Sequence, residues 1–345
     1  MMLQYFEAEI VPGIEPLALA ELRQIADDID HVGTGQVRFR FSGSLSALAA
    51  PRMITTIYAL GSFAEPRPRA LLGHANLHHI VDACRQVCAA WPAATFATLR
   101  LSAAGEQSVV MRRLRDELAG HLGLTATDGD GDLLVRLRRS DGRDGWDVLI
   151  RLTPRPLASR AWRRCSRPGA LAAPLAAAMM ELSAPAPADV IVNLCCGSAT
   201  LLVERGARAP WRAAWGIDLD ADALACADEN LTAAGLRARV QLAAHDARAL
   251  PFDDAFASVV CVDLPYGRLV GSHHDNLQLY PALIAEAARI AQPRARMVLV
   301  THEIRLLEQT LQRTAGWWHV RQWLRVRVGG MTPVVVVLER TDHRA

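Results

Sequence analysis

Five short apolar runs alternate with helical stretches in the second half of the chain. Apolar segments of four or five residues between helices are typical of a parallel sheet that helices cover on both faces. The second half is therefore predicted to be a doubly wound α/β domain. The runs are Val190–Leu194, Ala213–Ile217, Val240–Ala243, Ser258–Val262 and Met297–Val300.

The chain closes on a different pattern. Two longer segments with β-branched and aromatic residues, Trp317–Val328 and Val334–Glu339, flank the turn residues Gly329 and Gly330. This arrangement predicts an antiparallel hairpin, which would bring the predicted sheet to seven strands.

The first half predicts smaller α+β units. Residues 1–62 show a strand, helix, strand, helix, strand order, and residues 63–155, after a Pro-containing break, contain two helices and three strands. Residues 156–185 are rich in Pro, Ala and Arg and are expected to form a linker with one helix. The predicted elements are Tyr5–Val11, Glu15–Ala26, Gln36–Phe41, Ser44–Pro51, Thr55–Leu60, Leu77–Ala89, Thr95–Leu101, Gln107–Leu122, Leu133–Arg138, Trp146–Leu152 and Ala170–Leu182.

Composition narrows the class of protein only modestly. The 345 residues suffice for two or three domains, and a 51% hydrophobic content allows a sizeable core. The seven cysteines form no C-x-x-C pair and no zinc-site spacing, so we expect free thiols, a reducing cytoplasm and no metal. We also expect no signal peptide and no membrane span.

Ligand-binding residue types follow three successive predicted strands. Gly197 lies in the turn after the first strand, where a missing side chain lets a ligand approach the backbone. Asp218 ends the second strand and suits ribose hydroxyls, and Asp246 ends the third and suits an adenine amino group. The carboxyl ends of neighbouring parallel strands meet at one crevice, which is where such sheets bind ligands.

The fourth strand ends in Asp263-Leu264-Pro265-Tyr266, the most specific pattern in the chain. An amine on a base ring is a poor nucleophile, because its lone pair is delocalised into the ring. Two fixed acceptors, here the Asp263 carboxylate and the Leu264 carbonyl, can hold its hydrogens and direct the lone pair. Pro265 stiffens the turn, and Tyr266 offers a ring on which a base can stack. These four residues are the predicted catalytic set.

Together these patterns resemble the THUMP-domain family of RNA methyltransferases, over nearly the whole chain. The resemblance implies a ferredoxin-like domain, a THUMP domain and a Rossmann-like methyltransferase domain at 186–345. It also implies S-adenosylmethionine (AdoMet) as cofactor and tRNA as substrate, with methyl transfer to guanine N2 near the acceptor stem. By the same resemblance the cofactor site would comprise Asn193, Cys195, Gly197, Ala199, Thr200, Asp218, Leu219, Asp246, Ala247 and Asp263.

Two positions depart from the family's Asp-x-x-x-Gly-x-Gly cofactor loop. Asn193 stands for the aspartate and Ala199 for the second glycine. An RNA-binding protein with an inactive methyltransferase domain therefore stays an alternative. Adenine N6 or a protein glutamine stay alternative acceptors, because the same pair of oxygens would serve either amine.

Arginine is concentrated just before the predicted methyltransferase domain. From Arg136 to Arg167 there are ten arginines and three acids, although the net charge of the whole chain is only +2. The planar guanidinium donates two hydrogen bonds to a phosphate, so this segment is predicted to bind the RNA backbone. We expect the protein to be monomeric. The predicted RNA-binding residues are Arg136, Arg138, Arg151, Arg155, Arg160, Arg163, Arg164 and Arg167.

Overall fold

The computed structural model describes residues 3–141, 144–265 and 272–342. The chain forms two compact units. The first contains the residues up to Ile10 together with Ala18–Ala158, and the second contains Val11–Leu17 and the chain from Ser159 onward. Among the described residues, no helix combines the length and the apolar character that crossing a membrane requires.

The first unit is built on a single eight-stranded sheet with strand order β2-β3-β1-β4-β8-β7-β5-β6. The two predicted N-terminal units share this sheet, because β4 pairs antiparallel with β8. The elements in chain order between residues 5 and 151 are β1 (Tyr5–Ile10), α1 (Glu15–Leu22), β2 (Asp28–Gly33), β3 (Gln36–Arg40), β4 (Ile54–Phe63), α2 (His74–Ala89), β5 (Thr98–Ala103), α3 (Val109–Leu122), β6 (Thr125–Ala126), β7 (Leu133–Arg139) and β8 (Trp146–Arg151). Helix α1 begins within Val11–Leu17, which belongs to the second unit.

Several elements of this unit differ from the sequence-based expectation: the two-residue strand β6 was not predicted, and α1 ends at Leu22 rather than at Ala26. Strand β2 was not predicted, because aspartates are poor strand formers; here Arg40 of the neighbouring strand forms ion pairs with Asp28 and Asp30. The predicted helix Ser44–Pro51 is only a 3-10 turn, Leu45–Ala49, which Pro51 ends because a proline has no amide hydrogen to continue the helical hydrogen bonds.

The second unit contains a seven-stranded sheet with strand order β11-β10-β9-β12-β13-β15-β14. Strands β9 to β13 are parallel, and β15 pairs antiparallel with both β13 and β14. The elements are α4 (Ala173–Leu182), β9 (Val190–Leu194), α5 (Thr200–Gly206), β10 (Ala213–Asp218), α6 (Ala221–Ala233), β11 (Gln241–Ala244), β12 (Ala257–Asp263), α7 (His273–Ile290), β13 (Ala291–Thr301), α8 (Ile304–Arg313), β14 (Trp318–Arg325) and β15 (Val334–Arg340).

The order of these strands locates the crevice of the sheet. From β9 the chain runs outward through β10 to β11 and then returns to β12 on the other side of β9. Such a reversal leaves a gap at the carboxyl ends of the two central strands, because the connections that follow them diverge to opposite faces. Both strands are almost wholly buried, which holds their ends rigidly in place.

A short segment from near the start of the chain belongs to the second unit. The Pro12 carbonyl accepts a hydrogen bond from the Arg327 amide at 2.8 Å. Gly13 has a φ of +105°, and a side-chain carbon there would lie 2.1 Å from the Arg325 carbonyl oxygen. Only glycine fits this position, because both its backbone conformation and its closeness to the chain exclude a side chain.

Candidate active site

A cavity of about 350 Å³ lies at the carboxyl ends of the parallel strands of the second unit. Most of the predicted cofactor and catalytic residues, which follow different strands in the sequence, lie together on its wall. The predicted residues on its wall are Asn193, Cys195, Gly197, Thr200, Asp218, Leu219, Asp246, Ala247, Asp263, Leu264 and Pro265. Tyr266 lies outside the described residues.

The loop after β9 leaves open space above Gly197. This residue has a φ of +52°, and a side-chain carbon built there would meet no atom within 4 Å. Its amide donates to the Asp218 carboxylate at 2.8 Å, and the Asp220 amide donates to the other oxygen at 3.0 Å. Two backbone amides thus fix Asp218 at the end of β10.

Ala199 lies behind this wall rather than on it. It is fully buried and has a φ of +60°, in the left-handed region that favours glycine. Glycine adopts this conformation without strain, and glycine is the residue that the THUMP-domain family, which this chain resembles, has at this position. In this chain alanine takes the same conformation at a cost of about 1–2 kcal/mol.

Asn193 carries an unsatisfied acceptor at the cavity. Its amide nitrogen donates to the carbonyls of Leu194 and Cys261, both at 3.1 Å. Because both partners are acceptors, the amide orientation is fixed. The Asn193 Oδ1 atom is buried and has no hydrogen-bond partner among the described residues.

Asp246, after β11, is held by its own neighbour. The Arg248 side chain donates to both carboxylate oxygens, at 2.6–3.0 Å. This hydrogen bonding lowers the pKa of Asp246 below its ordinary value. The carboxylate lies on the cavity wall and is only about one-third exposed.

Asp263 differs from the other acids of the cavity, because no described residue gives it a hydrogen bond or an opposite charge. It is half-buried at the end of β12, and burial raises its pKa to about 7. The next residue, Leu264, is fully covered and donates its amide to the Val300 carbonyl at 3.0 Å. No described residue donates to the Leu264 carbonyl.

The cysteines near the cavity are not poised as nucleophiles. Burial, assisted by the charge of Asp218, raises the pKa of Cys195 to about 12, and burial raises the pKa of Cys261 to about 12. A thiol is reactive only as its thiolate, so these residues act as packing groups. The described residues contain no His, Cys, Asp or Glu cluster that could hold a metal ion.

One wall of the cavity was not predicted as part of the site. Residues 167–171 line it, and they belong to the segment 160–171, which we call the strap. Asn230 of α6 holds the strap: its oxygen accepts from the amides of Arg164 and Cys165, and its nitrogen donates to the carbonyls of Cys165 and Ser198. The sequence showed this segment only as an Arg-rich connection, without a signal for its packing.

A disulfide between Cys165 and Cys226 ties the strap to α6. The expectation of free thiols is therefore wrong for these two cysteines, whereas the other five are free. Spacing could not reveal the bond, because the two residues are 61 positions apart and come together only in the folded unit. The expectation of a reducing cytoplasm was based on free thiols, and the disulfide removes that basis.

The predicted RNA-binding arginines do not form one free basic surface. Several are paired with acids that lie far away in the sequence, and Arg151 is buried with its guanidinium bound to four backbone carbonyls. Arg155 and Arg164 are exposed. The pairs are Arg136–Glu9, Arg138–Glu7, Arg155–Asp130, Arg160–Glu204 and Arg167–Asp220, and Arg163 donates to Leu171 and Thr200.

Comparison with known proteins places this geometry in a family. Residues 160–333 match the family described as RMKL-like, methyltransferase domain. A human tRNA (guanine(6)-N(2))-methyltransferase THUMP3 is 29% identical over 190 residues, which are 51% of this chain and 37% of the relative. A mouse U6 snRNA (guanine-N(2))-methyltransferase THUMPD2 is 28% identical over 161 residues, 46% of this chain and 29% of the relative.

A solved structure shows the same fold along the whole chain. TrmN from Thermus thermophilus superimposes with a TM-score of 0.74 and 23% sequence identity, covering 98% of this chain and 99% of TrmN. By contrast, the chain spans little more than a third of the length of the curated THUMP3 relatives that it matches. The matched family covers half of the chain and includes the strap and every strand of the crevice. The chain belongs to the RMKL-like methyltransferase domain family.

Proposed function

We propose that this protein is an AdoMet-dependent RNA methyltransferase that forms N2-methylguanosine in tRNA, in the region of the acceptor stem. The observation that carries the proposal is the placement of Asp263. This carboxyl group has no partner among the described residues, and it shares one cavity wall with Asn193, Gly197 and Asp218. A cofactor site and an amine acceptor thus open into the same space.

The cavity fits AdoMet at four points. The space above Gly197 admits a ligand against the backbone. The unsatisfied Asn193 oxygen suits an ammonium donor, and Asp218 keeps lone pairs for ribose hydroxyls beyond its two backbone bonds. Leu219 is 67% exposed at the mouth and offers an apolar surface for a purine ring. AdoMet, when bound, supplies a methyl group on a positively charged sulfur.

The residues of this chain orient the acceptor amine. Asp263 accepts one amine hydrogen, and the Leu264 carbonyl accepts the other. With both hydrogens held, the nitrogen lone pair is directed away from the ring and toward the methyl donor. The proton that the amine loses passes to Asp263 or to water, and a carboxyl group with a pKa of about 7 suits that role at neutral pH.

Guanine in tRNA is proposed over the alternatives on the strength of the relatives. The THUMP3 proteins are named as tRNA guanine-N2 methyltransferases, and the methyltransferase family matches residues 160–333, the segment that contains the cavity. By the same likeness we propose that the first unit contains the ferredoxin-like part (1–62) and the THUMP part (63–155), before a 156–185 linker and the 186–345 methyltransferase domain. Positioning of the RNA would come from that unit, because the Asp263 turn recognises an amine and reads little sequence.

The phosphate-binding surface that we propose contains fewer free arginines than the sequence indicates. Arg155 and Arg164 keep exposed guanidinium groups, and Arg136 and Arg138 each retain partial exposure beside their acidic partners. Contacts of this kind fix an RNA backbone without reading bases. The affinity for RNA should therefore fall by about 0.7–0.9 log units per tenfold increase in salt for each phosphate contacted.

The deciding experiment is methylation of unmodified tRNA by the full chain with AdoMet, followed by nucleoside mass spectrometry. N2-methylguanosine at one position near the acceptor stem supports the proposal. N6-methyladenosine as the sole product would contradict the base assignment. Calorimetric titration with AdoMet separates the inactive alternative, since an inactive domain without cofactor would show no binding.

A further inference from the structure

The turn that ends in Pro265 is fixed from outside by two buried side chains of α7. The Asn276 amide donates to the Pro265 carbonyl at 2.8 Å, and the Tyr280 hydroxyl donates to the same oxygen at 2.7 Å. Asn276 and Tyr280 are both fully buried, and neither lines the cavity. Neither was singled out by the sequence, because they lie in a helix beyond the recognised motif.

The direction of every bond in this cluster is determined by its chemistry. The single hydrogen of Tyr280 goes to Pro265, because a carbonyl only accepts. The Thr301 hydroxyl, 2.7 Å from Tyr280, must therefore donate to it, and it accepts from the Glu303 amide at 2.9 Å. A chain of donors thus runs from Glu303 through Thr301 and Tyr280 to Pro265. Such chains strengthen each member bond.

Asn276 completes the cluster at an energetic cost. Its amide nitrogen donates to Pro265 and to the Glu303 carboxylate, the latter at 3.0 Å, so both of its hydrogens are used. Its oxygen is buried without a partner among the described residues. Leaving such an atom unsatisfied costs about 1–3 kcal/mol, which an apolar side chain of similar size would avoid. Packing alone therefore does not account for the amide.

The geometry explains what the two donors control. The Leu264 amide is bound to Val300 on one side of the turn, and the Pro265 carbonyl is bound to Asn276 and Tyr280 on the other. The proline ring fixes the φ angle between these two points. With both ends held, the peptide plane between Leu264 and Pro265 has one orientation, and so has the Leu264 carbonyl oxygen.

We propose that Asn276 and Tyr280 are positioning residues for methyl transfer: they hold the Leu264 carbonyl in the orientation that accepts the second hydrogen of the substrate amine. This inference rests on the proposed function, because it presumes an amine acceptor at the Asp263 turn. Neither residue touches substrate or cofactor. Both act by fixing the geometry of an acceptor that does.

The test compares two near-isosteric variants with a matched control. Tyr280→Phe and Asn276→Leu each remove one donor to Pro265 and keep the packing. Each should lower kcat by about 3- to 10-fold, as expected for one lost hydrogen bond. The double variant leaves the carbonyl without a donor and should lower kcat by about 100-fold, since small misplacements at a reacting centre cost that much. The AdoMet dissociation constant should change by less than about 2-fold, because the cofactor wall is untouched.

Thr301→Val is the control. It removes a buried hydroxyl from the same cluster, and with it the bond to Tyr280, but leaves both donors to Pro265. Its thermal stability should fall about as much as that of Tyr280→Phe, whereas its kcat should stay within about 2-fold of wild type, since no direct bond to the turn is lost. A kcat loss equal to that of Tyr280→Phe would show a general structural role and overturn the proposal.

A measurement without turnover separates this inference from the proposed function. Hydrogen exchange at the Leu264 amide should speed up by about 10-fold or more in the double variant, because the turn loses one of its two anchors, and should be unchanged in Thr301→Val. Unchanged exchange in the double variant would overturn the positioning role. If the variants show this exchange pattern while the wild-type protein binds AdoMet and methylates no RNA, the proposed function alone is overturned.

Discussion

Two acidic sites, one in each unit of this molecule, have opposite surroundings. In the first unit, Glu7 and Asp147 are at most 1% exposed and are surrounded by donors. Arg38 and Arg138 pair with both acids, at distances from 2.5 to 3.7 Å. In the second unit, Asp263 lies on the cavity wall, and no described residue forms an ion pair or a hydrogen bond with it.

The pKa shifts of the two carboxyl groups express this difference. Burial alone would raise the pKa of Asp147, but hydrogen bonds from Ser140 and Ser62 and the charge of Arg38 bring it below the ordinary value. For Asp263 burial acts without compensation and raises the pKa to about 7. A satisfied carboxylate supports a fold, whereas an uncompensated one costs stability and is kept where chemistry needs it.

Breaking the satisfied cluster should give the largest effect. Asp147→Ala leaves Arg38 and Arg138 short of a buried counter-charge and two serine hydroxyls without an acceptor. The free energy of unfolding of the first unit should fall by about 3–5 kcal/mol, the range for breaking a buried pair. Urea denaturation followed by tryptophan fluorescence measures this change.

The control for that variant is Asp141→Ala. Asp141 also pairs with Arg38, at 3.8 Å, but is 82% exposed. An exposed pair contributes little, so its loss should change stability by less than about 1 kcal/mol. Equal effects of the two substitutions would refute the view that burial and satisfaction make the cluster structural.

Removing the uncompensated acid should act on chemistry instead. Asp263→Ala should lower the rate of methyl transfer by about 100-fold or more, as for the loss of a positioned acceptor, with AdoMet affinity nearly unchanged. Single-turnover methylation of tRNA is the measurement, with exposed Asp253→Ala as the matched control. A wild-type rate in Asp263→Ala would show that the turn is not the reacting centre.

The cofactor carboxylates should have an intermediate effect on binding alone. Asp218→Ala and Asp246→Ala each remove an acceptor from the cavity wall, and a lost charge-assisted hydrogen bond is worth about 1.5–3 kcal/mol, or about 10- to 150-fold in affinity. Calorimetry with AdoMet tests this against Asp222→Ala, which is exposed on α6. Wild-type dissociation constants in both cavity variants, with the fold intact, would exclude them from the cofactor site.

A pH dependence of stability is expected from the Asp263 carboxyl group. Because burial raises the folded-state pKa of Asp263 above its unfolded value of about 3.9, the folded protein retains a proton that the unfolded chain releases. The contribution of this carboxyl group to stability therefore becomes less favourable as the pH rises from about 4 to about 7. Asp263→Asn should be more stable than wild type at pH 8 and equal to it at pH 3.5. Thermal melts at both pH values check the sign, and a constant difference would contradict it.

The rate should show the opposite trend with pH. If Asp263 must be ionised to accept the amine hydrogen, the single-turnover rate should rise with pH, by up to about tenfold per unit, until about pH 7 and then level off. A flat profile between pH 5 and 7 would indicate that the protonated carboxyl group serves equally well.

The accuracy of the sequence-based predictions differs between the same two units. Four of the five parallel strands of the second unit lie within one residue of the predicted bounds, because each is a short apolar run, whereas β13 begins six residues before the predicted Met297. The elements of the first unit were harder to predict from the sequence. Its strand β2 contains two aspartates, and the ion pairs of Arg136 with Glu9 and of Arg138 with Glu7 join distant parts of the chain, so no local pattern predicts them.

Contacts made only in three dimensions account for what the sequence missed at the site. The strap joins the cavity through Asn230 and the Cys165–Cys226 bond, and α7 fixes the Pro265 turn through Asn276 and Tyr280. None of these residues stands at a strand end or in a recognisable spacing. Patterns along the chain locate ligand-binding loops, but not the side chains that hold those loops still.

The path of the chain also decides how the molecule can be divided. Val11–Leu17 belongs to the second unit although the chain on either side of it belongs to the first. A single proteolytic cut after Ala158 would therefore not separate two complete units. The N-terminal fragment would carry Pro12 and Gly13, whose places lie against Arg325, Val326 and Arg327 of the terminal hairpin. The methyltransferase unit is thus assembled from segments on both sides of Ala18–Ala158, and a ribosome completes it only after the hairpin has been synthesised.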